Sequence, residues 1–406
     1  MKKILPAALI VGSLCFAPNA QWVQTNGPSN HTVLSLAVKD SMLFAGTYNG
    51  AFLSIDNGDH WSATGSLPFP SSRVLSLAVL GSLVFAGTDA GICRSSDNGA
   101  SWNAIDSGMP DQPLIHSCAV FGSQVFAGTH SHGVFLSKDS GATWTAVDSG
   151  MPAATSVYSL TVSGGRVVAG TWGAGIFLLP GSQFQWIASN AGLSGSVTSG
   201  YVLSLASSGT NVCAGIGSGA YVSADGGVHW AGSNPSQIQS DVNGLAATGN
   251  DVFAATYSSG VFHSTDNGIT LTAISEGLPL TNSQGLCVAV KGPYVFLGSG
   301  NTGVWRRPLS EVSPGGVRNE FRTKAKTGEL SFGSDHVLRY ELGSESFVSV
   351  TLHDVKGRVL CAVINRKQGA GRYSLPLNLE NFPSGTYVLG FISDDFISQR
   401  RIVVCR

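Results

Sequence analysis

The sequence predicts an all-β protein, a closed seven-bladed β-propeller followed by a small β-sandwich. Three observations carry that expectation. One segment recurs seven times, at a spacing of about 42 residues, through most of the 406-residue chain. Each copy holds short apolar runs rich in Val, Leu, Phe and Ala, broken by Gly, Ser, Asn and Asp. That is strand and turn composition, without helical periodicity. The last copy also lacks a terminal strand that the start of the chain supplies. Four strands per repeat of this length make one propeller blade.

In chain order, residues 1–20 have the pattern of a secretory signal. Lys2 and Lys3 are followed by an apolar stretch from Ile4 to Ala17 and by Pro18-Asn19-Ala20, a small-residue cleavage site before Gln21. The apolar stretch is too short to span a membrane, and no later one is long enough. Next comes Gln21-Trp22-Val23-Gln24-Thr25-Asn26-Gly27-Pro28, which matches the outer strand Thr143–Gly150 of a complete repeat. The seventh repeat stops after Val304-Trp305-Arg306-Arg307. The N-terminal strand is therefore expected to complete it, removing the open edges of an unclosed ring.

The repeats fill residues 21–310. Their third runs fall at Gly50–Ser54, Gly91–Ser95, Gly133–Ser137, Gly175–Leu179, Gly219–Ser223, Gly260–Ser264 and Gly303–Arg307. The turn after this run reads Ser-x-Asp-x-Gly-x-x-Trp at Ser54–Trp61, Ser95–Trp102, Ser137–Trp144 and Ser223–Trp230. Ser264–Leu271 keeps Asp266 and Gly268 but loses the Trp, and the fourth repeat has only Leu179-Pro180-Gly181 and Trp186. An Asp side chain can accept backbone hydrogen bonds across such a turn. The Gly permits positive φ, and the Trp offers apolar area between blades.

This pattern resembles the Asp-box, or BNR, repeat of sialidase-like propellers, over about 290 residues. The resemblance implies that Asp56, Asp97, Asp139, Asp225 and Asp266 are structural and lie on the face opposite the ligand site. It also sets a test for activity. Sialidases bring three arginines, a Tyr–Glu pair and an Asp together, whereas residues 21–310 contain only Arg73, Arg94, Arg166, Arg306 and Arg307, and one glutamate, Glu276. A glycosidase of the xyloglucanase type needs two carboxylates flanking the scissile bond. Asp89 and Asp241 are the weak candidates left once repeated turn positions are set aside. Xyloglucanases of this kind use two propellers, and one is present here.

Residues 311–330 include Ser313-Pro314-Gly315-Gly316 and a charged run, the composition of a linker. In residues 331–406 the 42-residue period disappears and alternating strand patterns take over, as in Val337–Leu342, Val348–Leu352 and Arg400–Val404. The segments Val350–Arg358 and Pro383–Tyr387, with the basic-apolar terminus, resemble the C-terminal sorting domain of type IX secretion cargo. The resemblance implies export through the periplasm, then release or anchoring outside the outer membrane. An accessory sandwich that binds carbohydrate or protein is the alternative.

Charge and cysteine usage narrow the function further. Residues 21–310 carry 8 Lys+Arg against 14 Asp+Glu, which excludes a basic nucleic-acid footprint. Cys93, Cys118, Cys213 and Cys287 each replace an apolar strand residue in a different repeat and are expected as packed thiols. Cys361 with Cys405 is the one pairing to test. No metal site or cofactor is expected.

If the Asp turns lie on one face, the loops between second and third strands lie on the other. Those loops carry Tyr48, Asp89, His130, His132, Trp172, Tyr257 and Asn301, and the residues before the first strands add Arg73, Tyr201, Asp241 and Gln284. A mouth mixing aromatic and polar groups suits a sugar or a peptide. The expectation is an exported, noncatalytic propeller that binds a glycan or protein partner.

Overall fold

A computed structural model describes residues 21–312, apart from 70–72, 182–183, 199, 218, 234–237, 239 and 280–283. It also describes residues 331–404, apart from 333–336, 343–345, 355–358, 378, 380–381, 384 and 393–396. The stretches expected from the sequence as leader (1–20) and linker (all but 311–312), and Cys405, lie outside these residues. The chain folds as two compact units, Met1–Val317 and Arg318–Arg406.

The first unit contains seven four-stranded antiparallel sheets. The first is built from Val33–Lys39, Met42–Thr47, Gly50–Ser54 and Ser62–Ala63, and the plan repeats down the chain. Each first strand packs against the first strand of the next sheet, and the ring closes where Val33–Lys39 meets Gly285–Lys291. The fold is therefore a seven-bladed propeller whose first strands surround the axis.

Closure uses the N-terminus. Val23 pairs with Arg306 and Gln24 with Trp305, so residues 23–24 are the outer strand of the seventh blade. Trp22 is buried among Phe253, Val261 and Ile274 of the sixth blade and Val295 and Leu297 of the seventh. Its indole N–H donates to the Ile274 carbonyl at 2.6 Å. Trp144 and Trp186 make the same bond to Ile105 and Val147 of their preceding blades, each at 2.5 Å.

Volume is matched at the inner seam. Ser35, Ser76, Ser117, Ser159 and Ser204 of the first strands lie opposite Gly46, Gly87, Gly128, Gly170 and Gly215 of the second strands. A Cβ on Gly46 would come within 2.3 Å of the Ser35 hydroxyl and 2.5 Å of Val74 in the next blade. In the sixth blade the pair is exchanged, Gly244 facing Ala255. One small side chain, Ser on the first strand or Ala on the second, faces a glycine in each case, so the seam keeps its packing.

Two local expectations need correction. The third strands of the third, fourth, sixth and seventh blades begin one residue later than the glycine run suggests, at Val134, Ile176, Val261 and Val304. The reason is that Gly133, Gly175, Gly260 and Gly303 adopt φ between 64° and 83° and belong to the hairpin loops. A four-residue helix, Gly195–Thr198, precedes the fifth blade. No helix among the described residues is long and apolar enough to cross a membrane.

The second unit has a three-stranded sheet of Ser331–Phe332, Val337–Leu342 and Gly371–Pro376, and a four-stranded sheet of Val359–Gln368, Ser346–Asp354, Gly385–Ile392 and Ile397–Val404. Alternate residues of both, including Leu338, Tyr340, Val350, Leu352, Leu389 and Phe391, form one buried cluster. Tyr340 donates its hydroxyl to Gln368 inside it, at 2.7 Å.

Candidate ligand-binding mouth

The two ends of the ring are made differently. At one end lie the Ser-x-Asp turns. Ser54 donates its hydroxyl to Asp56 at 2.9 Å and accepts the Gly58 N–H at 2.8 Å, while Asp56 accepts the His60 N–H at 2.9 Å. The same bonds recur around Asp97, Asp139, Asp225 and Asp266. The carboxylates serve their own hairpins.

At the other end the structure brings loop residues and residues before the first strands together in pairs at four of the seven seams between blades. Tyr48 of the first blade packs under Arg73 of the second, with the guanidinium carbon 4.6 Å from the ring centre. His130 of the third blade lies 3.3 Å from the Ser156 hydroxyl of the fourth. Trp172 of the fourth stacks on Tyr201 of the fifth, with centroids 5.0 Å apart and planes 25° from parallel. Tyr257 of the sixth accepts a hydrogen bond from Gln284 at 3.0 Å. The backbone sets this register. In the first, third, fourth, sixth and seventh blades, the loop residue's N–H bonds the carbonyl just before its own first strand; Tyr257 to Asp241 is an example, at 2.9 Å.

Asp89 departs from the scheme. It turns to Arg73 within its own blade, at 3.8 Å, and its other oxygen is buried without a hydrogen-bond partner. His132 is exposed and its Nδ1 lies 2.9 Å from the His130 carbonyl. Asp89 and Asp241 belong to the second and sixth blades, three blades apart, the largest separation a seven-membered ring allows.

Two residues of the mouth escaped the sequence reading. His116 and Tyr158 are the second residues of their first strands, where four other blades carry Leu34, Leu75, Leu203 and Leu286. Their rings stack 4.1 Å apart, and Tyr158 meets both Trp172 and Tyr201 edge-on, at 6.2 and 6.0 Å. An aromatic tier thus runs from His116 to Tyr201 across three blades. Burial, and then the neighbouring His130, hold the His116 imidazole down to about 4, so it is neutral near pH 7. The departure from a repeated Leu was the signal that could have revealed both residues.

Two grooves lie elsewhere. Spaces of about 320 and 230 Å³ flank Phe184 at the turn end, between the third and fourth blades. In the second and third blades the turn glycine packs on a Phe of the preceding blade, Gly99 on Phe44 and Gly141 on Phe85. The fourth blade has no such turn, so Phe126 lines open space. The smaller groove is also lined by Lys138, Asp139, Thr143 and Thr145, of which Asp139 and Thr143 bond each other within the turn. The exposed aromatic side chains stand instead at the mouth. Among the described residues, no group of three or more His, Cys, Asp or Glu could hold a metal. Cys93, Cys118, Cys213 and Cys287 are free thiols within the blades, and burial raises all four, Cys118 to about 11.

No protein-family profile matches the chain, and no curated protein does. Solved structures do match. The extracellular domain of BT4673 from B. thetaiotaomicron superposes with a TM-score of 0.59 at 16% identity, over 80% of this chain and 45% of that one. The chain thus spans less than half of that protein's length. YCF48 bound to D1 peptide gives 0.54 at 20% identity, over 71% and 96% of the two chains. The WD40 β-propeller domain of Doa1 gives 0.56 at 15%, over 71% and 97%. At these identities the likeness shows the fold alone.

Proposed function

We propose that this is an exported, noncatalytic propeller whose mouth binds a glycan or protein partner. One observation carries the reading. Among the described residues, the only Tyr and Trp side chains left exposed are Tyr48, Trp172, Tyr201 and Tyr257, and all four stand at the mouth. Leaving large aromatic faces in water gives up apolar burial, and gathering them at one end of a rigid ring suits ligand contact. Fold alone would not license this, because propellers serve many functions.

The remaining parts fit that role. The turns are those of Asp-box repeats, residues 1–20 act as a signal peptide, and 311–330 form a linker. Residues 331–406 form a sandwich that directs type IX export to the cell surface or beyond. The structural neighbours agree with an outward-facing binder, since one is an extracellular domain and another holds a peptide.

The test is a screen of the full chain against glycan and surface-protein arrays, followed by substitution. Trp172→Ala or Tyr257→Ala should weaken the captured ligand by about 1–3 kcal/mol, whereas Asp56→Ala should spare affinity. Hydrolysis of a captured glycan, abolished by Asp89→Asn or Asp241→Asn, would instead establish the glycosidase reading.

A further inference from the structure

Charge is segregated along the axis of the ring. Of the eight Lys and Arg in residues 21–310, only Arg73 stands at the mouth. The other seven lie toward the turn end, where Lys39, Arg94, Lys291 and Arg306 bond the turn loops. The mouth loops carry five aspartates, Asp89, Asp106, Asp111, Asp148 and Asp241. Arg73 is paired with Asp89, and no Lys or Arg among the described residues stands in the mouth loops to offset the other four. A net negative opening steers cations inward and turns anions away.

The mouth already shows how it holds a cation. Arg73 lies over the face of Tyr48 and beside the Asp89 carboxylate, the combination of ring face and acid that favours guanidinium and ammonium groups. The sixth blade offers the exposed ring without the cation. Tyr257 occupies the loop position of Tyr48, and the residue of the next blade that corresponds to Arg73 is Gln284. Asp241 is exposed; its backbone carbonyl accepts the Tyr257 N–H, while its carboxylate lies toward Gly217 of the fifth blade and adds negative charge to the same opening.

We infer that the mouth's partner is a peptide segment bearing Lys or Arg, with one cationic side chain seated over the exposed ring of Tyr257. This deepens the reading of the mouth as a binding site and rests on it. Charge complementarity favours such a segment over an acidic peptide or an anionic glycan, which the same four aspartates repel.

The experiment titrates the full chain with three probes at low and high salt. They are a short peptide of alternating lysine and serine, its glutamate counterpart, and a neutral β-linked gluco-oligosaccharide. The lysine peptide should bind, weaken as salt rises, and lose about two- to fivefold in affinity with Asp241→Asn. The glutamate peptide should not bind. If the oligosaccharide alone binds, and Trp172→Ala weakens it, the mouth is the site and the charge inference is overturned. If the lysine peptide binds with no dependence on Asp241, Tyr257 or Trp172, both readings fall. Silence from the lysine peptide also overturns the inference.

Discussion

At the scale of single residues, the turn aspartates tie stability to pH. The His60 backbone N–H, with bonds from the His60 and Ser54 side chains, holds Asp56 down to about 2. Asp97 and Asp139 sit equally low, held first by the hydroxyls of Ser101 and Thr143. A carboxylate that is more acidic in the folded state contributes stability at pH above its unfolded value of 3.8, and that contribution is lost as pH falls through about 2. Acid melts should therefore show the propeller losing stability between about pH 4 and pH 2, and Asp56→Ala should flatten that slope. At neutral pH the same substitution removes hydrogen bonds worth on the order of 1 kcal/mol, or about 2–4 °C in a domain of this size. An unchanged acid slope would mean that these bonds do not respond to the charge. The Ser, Asp and Gly of these turns were legible because they recur. Less legible was that the residue before the glycine also takes positive φ, as Asn57 does at 59° and Ser140 at 58°. Ser140 carries no left-handed signature in the sequence. His116 and Tyr158 were missed for a different reason. The mouth expected from the repeat pattern consists of loop residues, while these two stand on strands, and only comparison with the leucines of other blades exposes them.

At the scale of elements, the N-terminal strand repeats a solution used around the ring. The indole of Trp22 fills the seam that Trp144 and Trp186 fill elsewhere, and its bond to Ile274 repeats theirs. Thr25 adds bonds to the Val304 carbonyl, and receives the Trp61 indole at 3.2 Å. Residues 22–25 thus touch the sixth, seventh and first blades. Trp22→Ala should cost about 3–5 kcal/mol, as large-to-small core substitutions do. Deleting residues 21–28 should do more, leaving Val304–Pro308 as an unpaired edge strand and lowering the melting temperature or causing aggregation. An unaltered melt would show that the ring closes by another route. This closure was readable in advance because the missing strand of the last repeat and the extra strand at the start share one pattern. The exchange of Gly244 and Ala255 was not readable, since it needs the register of the two strands to be known. Neither was the seam pairing of the mouth, which joins residues about 25 to 30 positions apart through the ring geometry.

At the scale of the molecule, each unit holds a core of its own. The clusters of the ring draw only on residues up to Val312, and that of the second unit begins at Leu338. The buried clusters of the ring are built from neighbouring blades and, at the closing seam, from Trp22. A tail that packs its own strands is also free to serve another task, and the proposed task is export. These two properties make truncation decisive, because it separates folding from delivery. A chain ending at residue 330 should fold, keep the melting temperature of the ring and keep any ligand affinity of the mouth. In the cell it should accumulate in the periplasm while the full chain reaches the surface or the medium. Fractionation followed by immunodetection of both chains reads this directly. Normal export of the shortened chain would remove the sorting role from residues 331–406. A shortened chain that unfolds would instead mean that the ring depends on the tail for stability, against the separation of the two cores.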